Sequence, residues 1–168
     1  MFGVRFYLAS KYGGEVYVMK IRELLNTEDF KHRLVVTVQP NETVHMAILK
    51  LVEHDRGSLP VCDSKGNLEG IITERDIVRK CLTSGDNLKK IKIRNVMSTN
   101  VVIGSPEDDL DYAISAMKQA RIRHLPIVDN QKVMGMISMR DLLGMQLEES
   151  RTEIHYLNDY ISGDFKTS

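Results

Sequence analysis

Thr73 and Asp76 stand three residues apart, and further along the chain Ser138 and Asp141 repeat the arrangement. An ionised carboxylate can accept from two vicinal hydroxyls at once, and such charge-assisted bonds are the stronger kind. A hydroxyl beside the free N–H groups of a helix's first turn can hold a phosphate. Three-residue spacing on a helix start puts both groups on one face. Each pair therefore suits a ligand that offers both a diol and a phosphate. Arg75 and Arg140 lie between the members and add positive charge where they turn inward. The same spacing also describes a helix N-cap, in which the side chains satisfy the helix's own N–H groups. Duplication would copy a cap as readily as a ligand site.

The elements around these pairs occur twice. Pro40, Ala47, Ile48, Pro60, Val61 and Asp63 recur at a constant offset as Pro106, Ala113, Ile114, Pro126, Ile127 and Asp129. After a one-residue deletion, Gly70, Ile72 and Thr73 recur as Gly135, Ile137 and Ser138. Two copies cannot make an open array, so they are expected to pack face to face as one domain. Each copy reads strand, helix, strand, hairpin, strand, helix. In the first, 34–38 is a strand ended by Pro40. Val44, Ala47, Ile48 and Leu51 form one apolar helical stripe, and Gly57 stops that helix. Strands at 58–62 and 68–73 flank a turn with Gly66, and a helix follows from Glu74 to Cys81. In the second copy, 101–103 is the strand, and Leu110, Ala113, Ile114 and Met117 are the stripe. The hairpin of 124–128 and 133–138 turns at Asn130 and Gln131, and a helix runs from Met139 to about Leu147.

The expected division is an extension over 1–18, a first repeat over 19–82 and a linker over 83–96. A second repeat over 97–147 and a C-terminal helix and tail over 148–168 complete it. Met19 is a candidate alternative start. Residues 88–97 read as a short helix or an extended arm. Leu143, Leu147, Ile154, Leu157 and Ile161 hold one helical face, suited to the chain's own core or to a dimer surface.

Bulk properties remove several function classes. The 168 residues are 42% hydrophobic and 27% charged, with a formal net charge of zero. That is ordinary for a globular domain and supplies no basic field for nucleic acid or an anionic membrane. No apolar run approaches the roughly 20 residues of a spanning helix, and 1–18 lacks the apolar core of a secretion signal. Cys62 and Cys81 make neither a disulfide framework nor a metal spacing, which points to a reducing cytoplasm. The five histidines show no metal spacing. Phosphate-binding glycine loops and a nucleophile elbow are missing from the sequence, and Asp108 and Asp109, being adjacent, point different ways on a helix. No enzyme activity is expected.

The strings RGSLPVCDSKGNLEGIITERD and RIRHLPIVDNQKVMGMISMRD, with their matched spacing, resemble tandem CBS domains (cystathionine-β-synthase-type repeats). The resemblance covers roughly 19–144 and is to small stand-alone prokaryotic members. It implies an α/β (α+β) fold of two β-α-β-β-α repeats packed sheet to sheet around a pseudo-two-fold axis. It further implies two interfacial clefts for AMP, ADP or ATP, with NAD and S-adenosylmethionine ranked behind. It implies no resident cofactor, and pairs that dimerise into a disk.

Carried over residue by residue, one cleft joins Thr73, Arg75 and Asp76 to Asn100, Val102, Ile122, Arg123, His124 and Pro126. Backbone near Asn100 to Val102 would read adenine, while Arg123 and His124 would meet phosphates. The other joins Ser138, Arg140 and Asp141 to Leu34, Val36, Arg56, Gly57, Ser58 and Pro60. Gly57 and Ser58 stand where the first has Arg123 and His124. With each charged contact contributing about 1.5–3 kcal/mol, the Asp76 cleft is expected to be the tighter. The implied function is a non-catalytic sensor, a homodimer that relays occupancy to an unidentified protein. The alternatives are an interaction module with empty clefts and a nucleic-acid-binding member.

Overall fold

The computed structural model describes residues 19–82 and 87–145, together with Arg151 and Ile154. Its elements are α1 (Ile21–Leu25), α2 (Glu28–Lys31), α3 (Val44–Glu53), β1 (Ser58–Cys62), β2 (Leu68–Thr73) and α4 (Glu74–Ile77). A π-helical turn (Val78–Leu82) and a 3-10 turn (Ile93–Asn95) follow, then α5 (Leu110–Ala120), β3 (His124–Asp129) and β4 (Lys132–Ser138). Residues 139–145 are helical. The extension over 1–18, the loop 83–86 and most of the C-terminal helix lie outside the described residues. Leu143 and Ile154, two members of its expected apolar face, are exposed.

Two antiparallel hairpins, β1–β2 and β3–β4, carry the fold. Their registers match. Ser58 faces Thr73 and His124 faces Ser138, and each pairing shifts by one residue after Val61 or Ile127. Asn130 and Gln131 both take positive φ (48° and 68°), as a two-residue hairpin turn requires. The hairpin tips join where Leu68 N–H donates to the Gln131 carbonyl at 3.0 Å.

Two cores form, one per copy, and each is completed by the arm that precedes the other. Ile21, Leu24 and Phe30 are buried with Ala113, Met117, Leu125, Ile127 and Ile137 of the second copy. Ile93 and Val96 are buried with Val38, Val44, Leu59 and Ile72 of the first. The docking contacts come in pairs. Ile21 N–H donates to Asp108 O (3.0 Å) and Ile93 N–H to Glu42 O (3.0 Å). Arg22 N–H donates to Pro106 O (2.8 Å) and Arg94 N–H to Pro40 O (3.0 Å). Gly135 and Gly70 give the arms room. A β-carbon on Gly135 would lie 2.8 Å from Leu25 Cδ2, and one on Gly70 would lie 2.8 Å from Ser98 O. Burial of each aliphatic anchor contributes roughly 1.5–3 kcal/mol.

Two expectations are corrected. The strands at 34–38 and 101–103 reduce to single parallel bridges, Val38 to Val61 and Gly104 to Ile127. Val38 N–H donates to Pro60 O and Cys62 N–H to Val38 O, so the N–H side of residue 60 faces this segment. Proline has no N–H, and the ladder stops there. Pro126 ends the Gly104 ladder in the same way. Gly57 does not end α3. The left-handed residue after that helix is Asp55 (φ 50°), matched after α5 by Arg121 (φ 52°).

Candidate functional site: a cleft between the two copies

Both hydroxyl–carboxylate pairs do form helix caps. Asp141 Oδ2 accepts from Ser138 N–H (2.8 Å) and from Ser138 Oγ–H (2.6 Å). Asp76 Oδ2 accepts likewise from Thr73 N–H (3.1 Å) and Oγ1–H (2.7 Å). The cap occupies only one oxygen of each carboxylate. Asp141 Oδ1 accepts from Arg33 Nη1 (2.8 Å). Asp76 Oδ1 accepts from Ser98 Oγ (3.4 Å) and pairs with Lys80 Nζ (3.2 Å). Cap and ligand site are thus compatible, because they draw on different oxygens.

A cleft of about 900 Å³ opens beside Asp141. Ser138, Arg140, Asp141, Leu34, Val36, Arg56, Gly57, Ser58 and Pro60 all line it. They come from both copies, so only the packed pair creates the cavity. Arg123, His124 and Glu74 line it too. Arg123 and His124 were expected beside Asp76, and the structure places them here. The cause is the axis between the copies, where the residues leading into β1 and β3 meet. A β-carbon on Gly57 would sit 3.2 Å from His124 Cε1. The two donors that ranked the Asp76 side higher therefore stand on the Asp141 side.

Five Lys and Arg side chains line this cleft against the carboxylates of Asp55, Glu74 and Asp141. In a chain of zero net charge, that concentrates positive potential where an anion would enter. Ser58 Oγ is buried and makes no hydrogen bond among the described residues. Such an orphan is rare and costs about 1–3 kcal/mol. Val36, which also lines the cleft, makes no backbone hydrogen bond among the described residues, and Pro60 has no N–H to offer its carbonyl.

Burial lowers the pKa of His124 and the neighbouring Arg123 lowers it further, so the imidazole is held neutral below its ordinary range. Burial acts to raise the Asp141 pKa. Hydrogen bonds from Ser138 and Arg33 outweigh it and hold the carboxyl below the usual value.

On the other side, Arg75 and Asn100 are exposed, Val102 is 38% exposed, Ile122 packs on the second core and Pro126 is buried in β3. Ser98, two residues before Asn100, is the residue of that segment bonded to Asp76. Among the described residues no group of His, Cys, Asp and Glu could hold a metal ion. No described helix is long and apolar enough to cross a membrane.

Arg33, Glu74, Ser98 and Lys80 escaped the sequence reading. A further repeat carried a signal for the arms: Lys20-Ile21-Arg22 recurs as Lys92-Ile93-Arg94. That repeat marks both arms as part of the duplicated unit. It places Arg33 and Ser98 in equivalent segments, each reaching a capping aspartate of the other copy.

Comparison with known proteins agrees with the fold. The chain is 36% identical over 113 residues to the CBS domain-containing protein YhcV of Bacillus subtilis, covering 67% of this chain and 79% of that protein. It is 33% identical over 129 residues to a mitochondrial CBS domain-containing protein of Arabidopsis thaliana, covering 74% of this chain but only 63% of the relative. A CBS domain pair solved with 5′-methylthioadenosine and S-adenosyl-L-methionine superposes with a TM-score of 0.69 at 25% identity, covering 79% of this chain and 99% of that one. The CBS domain family matches at residues 28–83 and again at 93–148. With both copies matched and the paired fold in place, the chain belongs to the CBS-domain family as a tandem pair.

Proposed function

We propose that this chain is a non-catalytic sensor that binds an adenine nucleotide of the AMP, ADP or ATP type in the Asp141 cleft. The convergence of nine residues from two copies on one cleft, with an unpartnered Ser58 hydroxyl among them, carries the reading. Asp141 takes the ribose diol, Val36 backbone and the Leu34 and Pro60 side chains take the base, and Arg123, His124 and Arg56 take phosphate. A related pair solved with adenosyl compounds supports the ligand class. Occupancy changes the angle between the copies, and a partner protein responds. A ligand shifts that angle only by its differential affinity for the two shapes.

Met46, Leu49 and Val52 are exposed along one side of α3 and offer a second copy an apolar surface. They support the homodimer.

Titration calorimetry with AMP, ADP and ATP tests the site. Asp141→Ala is expected to weaken binding by about tenfold or more, as loss of a charge-assisted bond does, while Asp76→Ala leaves it nearly intact. The reverse pattern overturns the choice of cleft. No binding of any of the three at millimolar concentration favours the interaction module with empty clefts.

A further inference from the structure

We infer that Arg33 makes the Asp141 cleft select adenosyl ligands that carry a phosphate over those that do not; the inference rests on this cleft being the adenosine site. Arg33 Nη1 donates to Asp141 Oδ1 at 2.8 Å, and Nε donates to the Asp29 carbonyl at 2.8 Å. Its Cζ lies 4.2 Å from the centroid of the Phe30 ring. Phe30 is buried in the second core, so the ring is a fixed plate. The other oxygen of Asp141 is committed to the Ser138 cap. Oδ1 is therefore the oxygen a ribose diol must reach, and Arg33 already donates to it.

A diol that donates to Oδ1 shares that oxygen with the guanidinium and weakens the ion pair. Arg33 is only 34% exposed, so weakening its pairing with Asp141 is unfavourable. A phosphate on the incoming ligand supplies the replacement anion. The planar guanidinium fork suits it, and three of its five N–H hydrogens are uncommitted in the contacts to Asp141 and Asp29. Adenosine brings the diol and no anion, so its binding leaves the guanidinium less well compensated than a phosphate-bearing ligand does. The equivalent segment of the other copy lacks this device. There the neutral Ser98 hydroxyl takes the place of the arginine at Asp76 Oδ1; the cation that also pairs with this oxygen, Lys80, is 45% exposed and donates to the Val96 carbonyl as well, so it loses less when the pair weakens.

The test is titration of AMP and adenosine into the full chain, as wild type, Arg33→Ser and Arg33→Lys, with thermal unfolding to verify the fold. Wild type is expected to prefer AMP strongly. In Arg33→Ser adenosine binds more tightly and AMP more weakly, so the preference falls about tenfold or more; Arg33→Lys keeps most of it. Improved adenosine binding is the decisive readout, because a merely structural lesion weakens both ligands. Equal weakening of both, or an unchanged ratio, overturns the inference and leaves the nucleotide site standing. Wild type that binds neither compound overturns the nucleotide reading and this inference with it. If Arg33→Ser does not fold, Arg33→Gln is measured for the same ratio.

Discussion

The imidazole of His124 lies 3.2 Å from the point where Gly57 would carry a β-carbon. The two residues belong to different copies, and each stands at the entry of the first hairpin strand of its own copy. Gly57→Ala puts a methyl against that ring. The expected result is a destabilisation of about 1 kcal/mol, the low end for overpacking, because the ring can move a few tenths of an ångström. Urea unfolding measures it, and an unchanged midpoint would show that the copies do not meet here.

The depressed pKa of His124 sets a pH dependence. The unfolded chain binds a proton at the ordinary histidine value, near 6.5, while the folded chain holds the ring neutral to lower pH. Between the two values the unfolded state carries more protons, so stability rises with pH through that window. Above 6.5 the contribution is fully present, and it is lost as pH falls towards the folded value. Unfolding free energies from mildly acidic to mildly basic pH should show this slope in the wild type and a flatter one in His124→Gln.

Ser58→Ala removes a buried hydroxyl that makes no bond among the described residues. The empty protein is expected to be unchanged or stabilised by up to about 1 kcal/mol. Nucleotide affinity is expected to fall severalfold. A variant that is less stable without ligand would show that the hydroxyl already has a partner.

Gly70 and Gly135 differ in what confronts them. An added methyl at 70 meets the Ser98 carbonyl, which is backbone, whereas at 135 it meets the end of the Leu25 side chain. Gly70→Ala is therefore expected to cost more than Gly135→Ala, both within roughly 1–3 kcal/mol. Leu25→Ala should recover part of the loss in Gly135→Ala and none in Gly70→Ala. A double-mutant cycle with no coupling between 25 and 135 counts against arm docking.

Val52, 77% exposed on α3, is the position at which a charge should split a dimer that forms through this helix. Val52→Glu is expected to shift sedimentation towards the monomer without lowering the unfolding midpoint. A wild type that sediments as a monomer, or a variant that stays paired, removes α3 from the interface.

Much of this was legible in the chain itself. The near-constant offset between the copies located both hairpins, both apolar helix stripes and both hydroxyl–carboxylate pairs, because those features follow from local periodicity and turn chemistry. Nine of the residues that line the Asp141 cleft were named beforehand through the resemblance to tandem CBS domains, not through periodicity. The pairing of 34–38 and 101–103 was not. β-branched composition marks an extended segment, but whether it pairs depends on the neighbour, and Pro60 and Pro126 withhold the N–H that the ladder needed.

The sequence alone determined that there are two copies, which faces of them are apolar, and that each closes on a capped helix with a carboxylate. Only the tertiary structure decided which copy's donors meet which carboxylate. His124 meets Gly57 of the other copy, and that contact depends on how the copies pack, which no local pattern encodes. Arg33 reaches Asp141 across 108 residues of chain. No periodicity encodes a contact of that separation; it exists because the arm before one copy is buried in the core of the other.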